Sequence, residues 1–361
     1  MKHWIRYCQT NQFLKYKNLK DVSIIIPIYN VEKYVAECLN SVISQTYDHS
    51  KIECIIVDDC TPDSSMEIVN EIIREYDGDM AFITCRHEHN QGLSAARNTG
   101  IDIATGKFIY FIDSDDYIYP NTIALLLSAA DNNVDIVIGN HYRESFKRNE
   151  MLISRICSIK NSNALFFGKT MKIQAWNNLI DRNILIANNL RFNIGRFFED
   201  IVFTCQLFQC VKTVRVIPDC TYFYRMNPTG IMLNISKEQL EKSFSDYLFS
   251  IKILTDPNDN KLRVGKNARS VKLLYYIYDM LKHSGDILEN RKEIENEISM
   301  ICRKLLKYNL RHFRIFLVFH TLLGFKSIAY ILINNSFLRR RIDKLFYMFL
   351  YPALWADKLH K

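Results

Sequence analysis

The most constraining feature of this chain is an apolar segment, residues 108–112, that ends in the carboxylates Asp113, Asp115 and Asp116. A short apolar run of this kind predicts a buried β-strand, and ligands of parallel α/β sheets bind beyond the carboxyl ends of the strands. Hard divalent cations prefer oxygen ligands, and Mg²⁺ is usually bound together with substrate phosphates. The segment therefore predicts a Mn²⁺ or Mg²⁺ site at the three aspartates, beside a phosphate ester. A solvated strand end is the alternative.

Apolar runs that alternate with helical patterns predict an α/β fold. The predicted strands are residues 22–27, 52–57, 80–84, 107–112 and 134–138, and the predicted helices are residues 31–44, 61–76, 93–104 and 121–130. Such alternation is typical of a Rossmann-like, mostly parallel sheet with helices on both faces. Residues 27–30 read Pro-Ile-Tyr-Asn where a glycine-rich dinucleotide-binding turn would be needed, which argues against NAD or FAD as a ligand.

Four motifs follow one another along this predicted fold. They are SIIIPIYN at 23–30, IIVDD at 55–59, NQGLSAARNTG at 90–100 and DSDD at 113–116. In this order and at these positions they resemble the signature of family 2 glycosyltransferases, and the resemblance extends over residues 20–230. It implies a GT-A fold, a nucleoside-diphosphate (NDP) sugar as donor, a divalent metal ion and inversion at the anomeric carbon.

The resemblance also implies which residues bind the donor. They are Pro27, Tyr29, Asn30, Asp58, Asp59, Arg97, Asp113 and Ser114. Asp59 matches the base-binding position, although either aspartate of its pair can instead cap the following helix. Tyr29 can line the nucleotide pocket or pack in the core. Arg97 can bind phosphate oxygens, hold the carboxylates in place, or form a structural salt bridge.

The turn after Asp59 departs from the family pattern. Many members have Gly-Ser-Thr-Asp there, whereas this chain has Cys60-Thr61-Pro62-Asp63. Cysteine is a poor substitute for glycine wherever the backbone requires a positive φ angle. We therefore expect a loop of different shape at this position.

Sugar transfer to a hydroxyl requires a group that takes the hydroxyl proton, and a positioned carboxylate suits this task. Glu199 and Asp200 match the acidic pair of the family, which implies that Asp200 is the general base, with Glu199 as second candidate. The alternative is a helix cap. Trp176 resembles an acceptor-stacking residue but can equally be buried. Arg225 precedes a turn-rich stretch and is a candidate for contact with the diphosphate.

The net charge of +8 comes from the C-terminal tail. Residues 301–361 contain 12 Lys and Arg against two Asp, an excess of +10, so the first 300 residues carry a net charge of −2. Basic clusters beside apolar, aromatic segments such as residues 315–338 favour a helix that lies in an anionic membrane surface. A packed basic subdomain or a single membrane span is the alternative. No nucleic-acid partner is expected, because no nucleic-acid-binding motif accompanies the charge.

These features divide the chain into an N-terminal extension (1–20), a GT-A catalytic domain (21–235) and a helical, basic C-terminal region (236–361). Residues 1–20 lack the apolar core of a signal peptide, which favours the cytoplasmic side of the cell membrane. The predicted function is inverting, metal-dependent sugar transfer from an NDP-sugar, with UDP favoured, to a hydroxyl of a surface glycan or lipid-linked glycan. The alternatives are a catalytically silent, membrane-associated sugar-nucleotide binder and a nucleotidyltransferase, whose usual glycine-rich basic loop is missing here.

Overall fold

The computed structural model describes residues 20–131, 134–144, 174–227 and 237–254, and single positions between 256 and 300. The strands in these residues are β1 (Val22–Ile28), β2 (Ile52–Asp58), β3 (Ala81–Arg86), β4 (Phe108–Phe111), β5 (Tyr117–Ile118), β6 (Ile136–Arg143), β7 (Asn178–Asp181) and β8 (Val214–Tyr224). The α-helices are α1 (Val35–Ile43), α2 (Ser65–Glu75), α3 (Leu93–Ile103), α4 (Thr122–Ala129), α5 (Arg182–Ala187), α6 (Glu199–Cys210) and α7 (Lys237–Leu254).

These strands form one sheet in the order β3-β2-β1-β4-β7-β6-β8-β5. The strands from β3 to β4 are parallel, whereas β7 is antiparallel to both of its neighbours, β4 and β6. Strand β8 pairs with β6 in parallel and with the short β5 in antiparallel orientation. Parallel pairs therefore outnumber antiparallel pairs, and the predicted mostly parallel α/β sheet is confirmed.

The centre of the sheet is buried on both faces because its sequences are almost wholly apolar. Every residue of β1 and β2 is buried, as expected for parallel strands covered by helices. Helix α1 buries Val35, Leu39 and Val42, which recur at the three- and four-residue spacing of one helical face. Packing of this kind explains why the apolar periodicity of the sequence located these elements.

The predicted and observed elements agree for the first half of the fold. The five predicted strands correspond to β1, β2, β3, β4 and β6, and the four predicted helices correspond to α1 to α4. Strands β5, β7 and β8 were not predicted. The first two have only two and four residues, and β8 is interrupted by Pro218 and Asp219, so pairing with neighbouring strands decides that they are strands.

A buried carboxylate, Glu53, organises the end of the sheet opposite the carboxyl ends of β1 and β2. It lies in register with Ser23, whose hydroxyl donates a hydrogen bond to Glu53 Oε1 at 2.5 Å. The Thr105 amide and hydroxyl donate to Oε1 and Oε2 at 2.6 and 2.7 Å, and the Gly106 amide donates to Oε1 at 3.2 Å. Glu53 thereby satisfies the polar groups of the turn that leads into β4.

Asn177 joins the two halves of the sheet just before β7. Its backbone is left-handed, with φ of 58°, and its side chain is fully buried. The amide nitrogen donates to the carbonyls of Gly139 and Asn140 in β6, each at 3.0 Å. The amide oxygen accepts hydrogen bonds from the hydroxyls of Tyr110 in β4 and Thr221 in β8. One side chain therefore contacts three strands.

The described residues fall into two compact units, one that includes residues up to Asp246 and another that begins at Tyr247. In the second unit Lys252 forms an ion pair with Glu297. No helix in the described ranges has the length and apolar character needed to span a membrane. Residues 1–19 and 301–361, and with them the predicted membrane-binding tail, lie outside the described residues.

We expect Glu53→Ala to lower the free energy of unfolding by about 3 kcal/mol, because the donors of Ser23 and Thr105 lose their acceptor. Urea unfolding of the variant and the wild type measures the difference. Glu71→Ala on the exposed face of α2 is the matched control and should change stability little. Equal stability of the two variants would contradict the structural role of Glu53.

Candidate active site

The predicted site residues gather at one edge of the sheet. Strands β2, β1 and β4 are parallel neighbours, so the residues that follow their carboxyl ends lie side by side. Asp58 and Asp59 stand at the end of β2, and Asp113 follows β4 by two residues. Ser114, beside Asp113, is buried. The topology thus brings the predicted nucleotide-binding and metal-binding carboxylates to the same crevice.

Arg97 is the centre of this edge. Helix α3 approaches β1 so closely that a Cβ on Gly100 would lie 2.3 Å from Ile25 Cγ2, and this close packing leaves Arg97 only 1% exposed. Its Nη2 donates to Asp113 Oδ1 at 2.7 Å, and its Nη1 donates to Glu199 Oε1 at 2.6 Å. Nη1 also lies 3.4 Å from Asp200 Oδ1. One guanidinium therefore binds Asp113, a predicted metal ligand, and the acidic pair Glu199 and Asp200.

The neighbouring carboxylates stabilise the positive charge of Arg97. Burial alone lowers the pKa of Arg97, but Asp113, Asp200 and Glu199 outweigh burial and raise this pKa above its ordinary value. The guanidinium carbon lies 5.2 Å from the centre of the Phe192 ring, and Nε has no hydrogen-bond partner within the described residues. The structure thus places Arg97 as a holder of carboxylates, one of the roles that its sequence left open.

Glu199 and Asp200 are the first two residues of α6. The Glu199 side chain is 9% exposed and that of Asp200 is 21% exposed, so Asp200 is the more accessible of the two. Burial and the neighbouring Asp200 carboxylate raise the pKa of Glu199 to about 8, although Arg97 opposes the shift. Interaction with the Asp200 side chain adds to the raised pKa, so the neutral form of Glu199 is favoured more than in an ordinary glutamate.

The three aspartates after β4 are in different environments. Asp116 is buried, and its two oxygens accept hydrogen bonds from the Tyr222 hydroxyl at 2.6 Å and the Arg225 amide at 2.8 Å. Asp115 Oδ2 accepts from the Asn227 side chain at 3.0 Å. Burial and the mutual repulsion of these carboxylates raise the pKa of Asp113 and that of Asp116 above their ordinary values, although Arg97 opposes the shift at Asp113.

A metal ion fits this donor set only in part. No three carboxylate, histidine or cysteine side chains in the described segments converge closely enough to bind a metal ion by themselves. Asp113 Oδ2 and Asp115 Oδ1 accept no hydrogen bond from described residues, whereas both oxygens of Asp116 have partners. One or two carboxylates plus substrate phosphates are the usual ligands of Mg²⁺, and Asp113 and Asp115 match that arrangement.

Asp59 makes three internal hydrogen bonds. Its Oδ1 accepts from the His87 ring at 2.6 Å and from the Gln91 amide at 2.8 Å, and its Oδ2 accepts from the Gly92 amide at 2.7 Å. Gly92 is the N-cap of α3, so Asp59 positions the helix that carries Arg97. The alternative of a cap on the following helix is wrong for Asp59, because the N-cap of α2 is Ser64 and Asp59 instead binds the loop that leads into α3. Contact of Asp59 with a base stays a prediction.

The turn after Asp59 does require a positive φ. Cys60 has φ of 57°, a left-handed conformation that glycine adopts at lower cost. Asn30, which ends the first motif, has φ of 55°, and its amide donates to Thr61 Oγ1 at 2.8 Å. Asp58 Oδ1 accepts from the Thr61 amide at 2.8 Å. The first two motifs are thus joined through Thr61.

The remaining predicted residues have contrasting positions. Tyr29 is 46% exposed, so the alternative of core packing is wrong, whereas Pro27 is buried within β1. Trp176 is only 4% exposed, and its ring stacks on Tyr222 with a centroid distance of 4.3 Å. The alternative of a buried tryptophan is therefore what the structure contains, and acceptor stacking has no support from its position.

Arg225 contacts the loop that carries the three aspartates after β4. Its Nε donates to the Asp115 carbonyl at 3.0 Å, and its Nη2 binds Glu37 of α1. The sequence did not reveal Glu37, Tyr222 or His87 as members of the site, because no local pattern separates them from ordinary surface or core residues.

Comparison with known proteins identifies the family. The sequence model of the family described as "Glycosyl transferase family 2" matches residues 23–188 of this chain. "Putative glycosyltransferase EpsH" of Bacillus subtilis (strain 168) is 32% identical over 66% of this chain and 70% of its own length. The chain belongs to glycosyl transferase family 2. Several other relatives of this glycosyltransferase are matched over less than two thirds of their length.

Solved structures confirm the GT-A fold of this family 2 glycosyltransferase. Staphylococcus aureus TarS, in a complex with UDP-GlcNAc, superposes with a TM-score of 0.64 at 20% identity over 79% of this chain and 81% of the TarS chain. A mannosyltransferase from Pyrobaculum calidifontis, in complex with GDP-Man and Mn²⁺, has a TM-score of 0.53 at 14% identity over 81% and 88% of the two chains. The predicted enzyme class, an NDP-sugar-dependent glycosyltransferase, is confirmed.

The raised pKa of Glu199 has a consequence for stability. The pKa of Glu199 is raised to about 8 in the folded protein by burial, against an ordinary value of 4.5 in the unfolded chain, so folding favours its protonated form. The contribution of this group is therefore fully present below pH 4.5 and is lost as the pH rises through about 8. We expect Glu199→Gln to remove this decline, so that the variant gains stability relative to the wild type towards pH 8.

Urea unfolding at several pH values measures this difference. Glu71→Gln, which replaces an exposed carboxylate of α2, is the matched control and should follow the wild type. A stability difference between Glu199→Gln and the wild type that stays constant across this pH range would show that Glu199 does not keep its proton.

Proposed function

We propose that this protein is an inverting, metal-dependent glycosyltransferase that moves a sugar from a UDP-sugar to a hydroxyl of a surface glycan. The observation that carries the proposal is the shared guanidinium of Arg97, which binds Asp113 on one side and the Glu199–Asp200 pair on the other. A donor held near Asp113 and an acceptor activated by Asp200 would therefore meet in one crevice.

Asp200 is the proposed general base. It is the more exposed carboxylate of its pair, and its Oδ1 faces the Arg97 guanidinium at 3.4 Å while its Oδ2 lies 3.4 Å from the Ala175 amide. These contacts orient the carboxylate, which then accepts the proton of the attacking hydroxyl. Glu199 is the more buried of the two and is bonded to Arg97 Nη1 at 2.6 Å, so we assign it the role of positioning Asp200.

The arrangement around Arg97 supports inversion. Asp113 is bound through Nη2 and Asp200 through Nη1, so the guanidinium separates the two carboxylates. Attack near Asp200 and departure of the diphosphate near Asp113 would then take place on opposite sides of the sugar carbon. Arg97 itself is too buried to meet the diphosphate directly, and it acts by holding both carboxylates in position.

Asp113 and Asp115 are the proposed metal ligands, with the diphosphate as the remaining source of oxygens. A divalent cation bound there supplies positive charge against the negative charge that grows on the leaving diphosphate. Arg225 and Asn227 hold the loop through the Asp115 carbonyl and side chain. We favour Mn²⁺ as the ion because the structurally similar mannosyltransferase was solved in complex with Mn²⁺. Mg²⁺ is the alternative.

The donor and acceptor follow from chemistry and from relatives. UDP is favoured because the TarS structure was determined with UDP-GlcNAc, and GDP is the alternative because the second structure contains GDP-Man. TarS is named a poly(ribitol-phosphate) β-N-acetylglucosaminyltransferase. We therefore propose a polyhydroxylated surface polymer or its lipid-linked precursor as acceptor.

Calorimetric titration with UDP, with and without Mn²⁺, tests the donor site. We expect Mn²⁺-dependent binding in the wild type and an affinity at least about tenfold lower in Asp115→Asn, because the variant loses a metal ligand. Asp200→Asn is the matched control, since it makes the same chemical change at the base side. It should bind UDP as the wild type does but transfer sugar roughly 100-fold or more slowly.

The outcomes separate the alternatives. Metal dependence that survives in Asp115→Asn would remove this residue as a ligand, and normal turnover by Asp200→Asn would remove the proposed base. Binding of UDP without any turnover of UDP-sugars in the wild type would favour a silent sugar-nucleotide binder. Absence of UDP binding with binding of GDP would redirect the donor assignment.

We further propose that the enzyme works at the cytoplasmic face of the membrane, bound through its basic C-terminal tail. The support is the sequence alone, which combines an excess of +10 in residues 301–361 with aromatic, apolar segments. Deletion of residues 312–361 should move the protein from the membrane pellet to the supernatant after centrifugation. A truncated protein that still sediments with membranes would contradict this placement.

A further inference from the structure

The helix that carries the proposed base begins with an unfavourable backbone conformation. Phe198 precedes α6 and has φ of 58° and ψ of 34°, the left-handed region that bulky residues avoid. No side chain caps the helix at this residue. Such a conformation persists only where neighbouring contacts enforce it. The contacts that enforce it also determine where Glu199 and Asp200 point.

Those contacts come from α7. Asp246 is 1% exposed, and its Oδ2 accepts a hydrogen bond from the Phe197 amide at 2.8 Å. Arg196 Nη1 donates to Asp246 Oδ1 at 2.8 Å, and Lys242 Nζ donates to Oδ2 at 3.0 Å. A single buried carboxylate thus holds two consecutive residues of the segment immediately before Phe198.

Lys242 adds a second attachment to the same segment. Its Nζ donates to the Gly195 carbonyl at 2.5 Å and lies 4.4 Å from the centre of the Phe197 ring. Gly195 has φ of 75°, so the chain turns sharply there before it reaches Phe198. Asp246 and Lys242 therefore hold residues 195–197 from one face of α7.

We propose that Asp246 is a positioning residue for sugar transfer, because it holds the segment that sets the orientation of the general base. The assignment rests on the proposed function of Asp200. It adds a residue of α7 to those that support catalysis. Asp246 lies beyond the family match, which ends at residue 188, and beyond the boundary at residue 235 that the sequence predicts for the catalytic domain.

The physical chain of effects is short. If the bonds to Asp246 are lost, the segment before Phe198 is held less firmly, and Phe198 can return towards a favourable backbone conformation. The first turn of α6 then reorients, and the bond between Glu199 and Arg97 Nη1, 2.6 Å long, is weakened together with the contact of Asp200. A catalytic group displaced by about 1 Å can slow a reaction roughly 100-fold.

Asp246→Asn tests the proposal, because it keeps the size of the side chain but removes its charge. Lys242→Met is the second variant, since it removes the bond to Gly195 and leaves the buried carboxylate intact. Glu238→Gln, an acid-to-amide change at an exposed position of α7, is the matched control. Each protein is measured for UDP binding with Mn²⁺, for kcat and KM of sugar transfer, and for amide hydrogen exchange.

We expect kcat to fall roughly 10- to 100-fold in Asp246→Asn while KM for the donor and the affinity for UDP stay unchanged. Lys242→Met should show a smaller fall, and Glu238→Gln none. Amide exchange of residues 197–201 should become about tenfold faster in Asp246→Asn, with exchange in β1 and β2 unchanged. A purely structural role would instead leave kcat of the folded protein unchanged.

Unchanged exchange at residues 197–201, or unchanged kcat in an active enzyme, would overturn the proposal. The exchange measurement does not depend on activity. If the wild type transfers no sugar from any donor, the proposed function fails. If exchange at residues 197–201 is then as slow in Asp246→Asn as in the wild type, the role of Asp246 in holding α6 is refuted as well. Faster exchange in such an inactive protein would confine that role to the conformation of α6.

Discussion

The buried cation of Arg97 is the interaction on which the site depends. Removing a guanidinium from water is costly, and the cost is offset here by Asp113, Glu199 and Asp200, which surround it. The planar fork of arginine lets one side chain bind carboxylates in two directions, which the single ammonium group of a lysine cannot do in the same geometry. Loss of Arg97 would leave three partly buried carboxylates to repel one another.

The same cluster has more negative than positive groups. Asp113, Glu199 and Asp200 share the single guanidinium of Arg97. The nearby carboxylates of Asp115 and Asp116 accept hydrogen bonds only from uncharged groups among the described residues, namely the Asn227 side chain, the Tyr222 hydroxyl and the Arg225 amide. Burial and mutual repulsion raise the pKa of Asp113, Asp116 and Glu199. A crevice with this surplus attracts a cation. The surplus is therefore consistent with a metal ion that arrives with a diphosphate.

Backbone strain is concentrated where strands and helices meet the site. Asn30, Cys60, Asn177 and Phe198 all have positive φ angles, and each lies in a segment that carries or supports a predicted site residue. Such conformations are retained only when surrounding bonds enforce them. The Asn177 amide bonds to β6 and the Asp246 bonds to Phe197 are examples of that enforcement. Precision at the site thus depends on polar contacts made some distance away from it.

The sequence by itself determined the first half of the fold and the identity of the central carboxylates. Apolar periodicity is a local property, so strands β1, β2 and β4 and helices α1 to α3 could be predicted from it. Parallel strands end at a common edge, so the placement of Asp59 and Asp113 at one edge of the sheet also followed from the order of motifs. Tertiary structure alone decided the reversed strand β7, the burial of Trp176 and the partners of Arg97 and Asp246. These depend on contacts between residues far apart in the chain, such as Arg97 and Glu199, and side-chain packing between distant segments leaves no local pattern in the sequence.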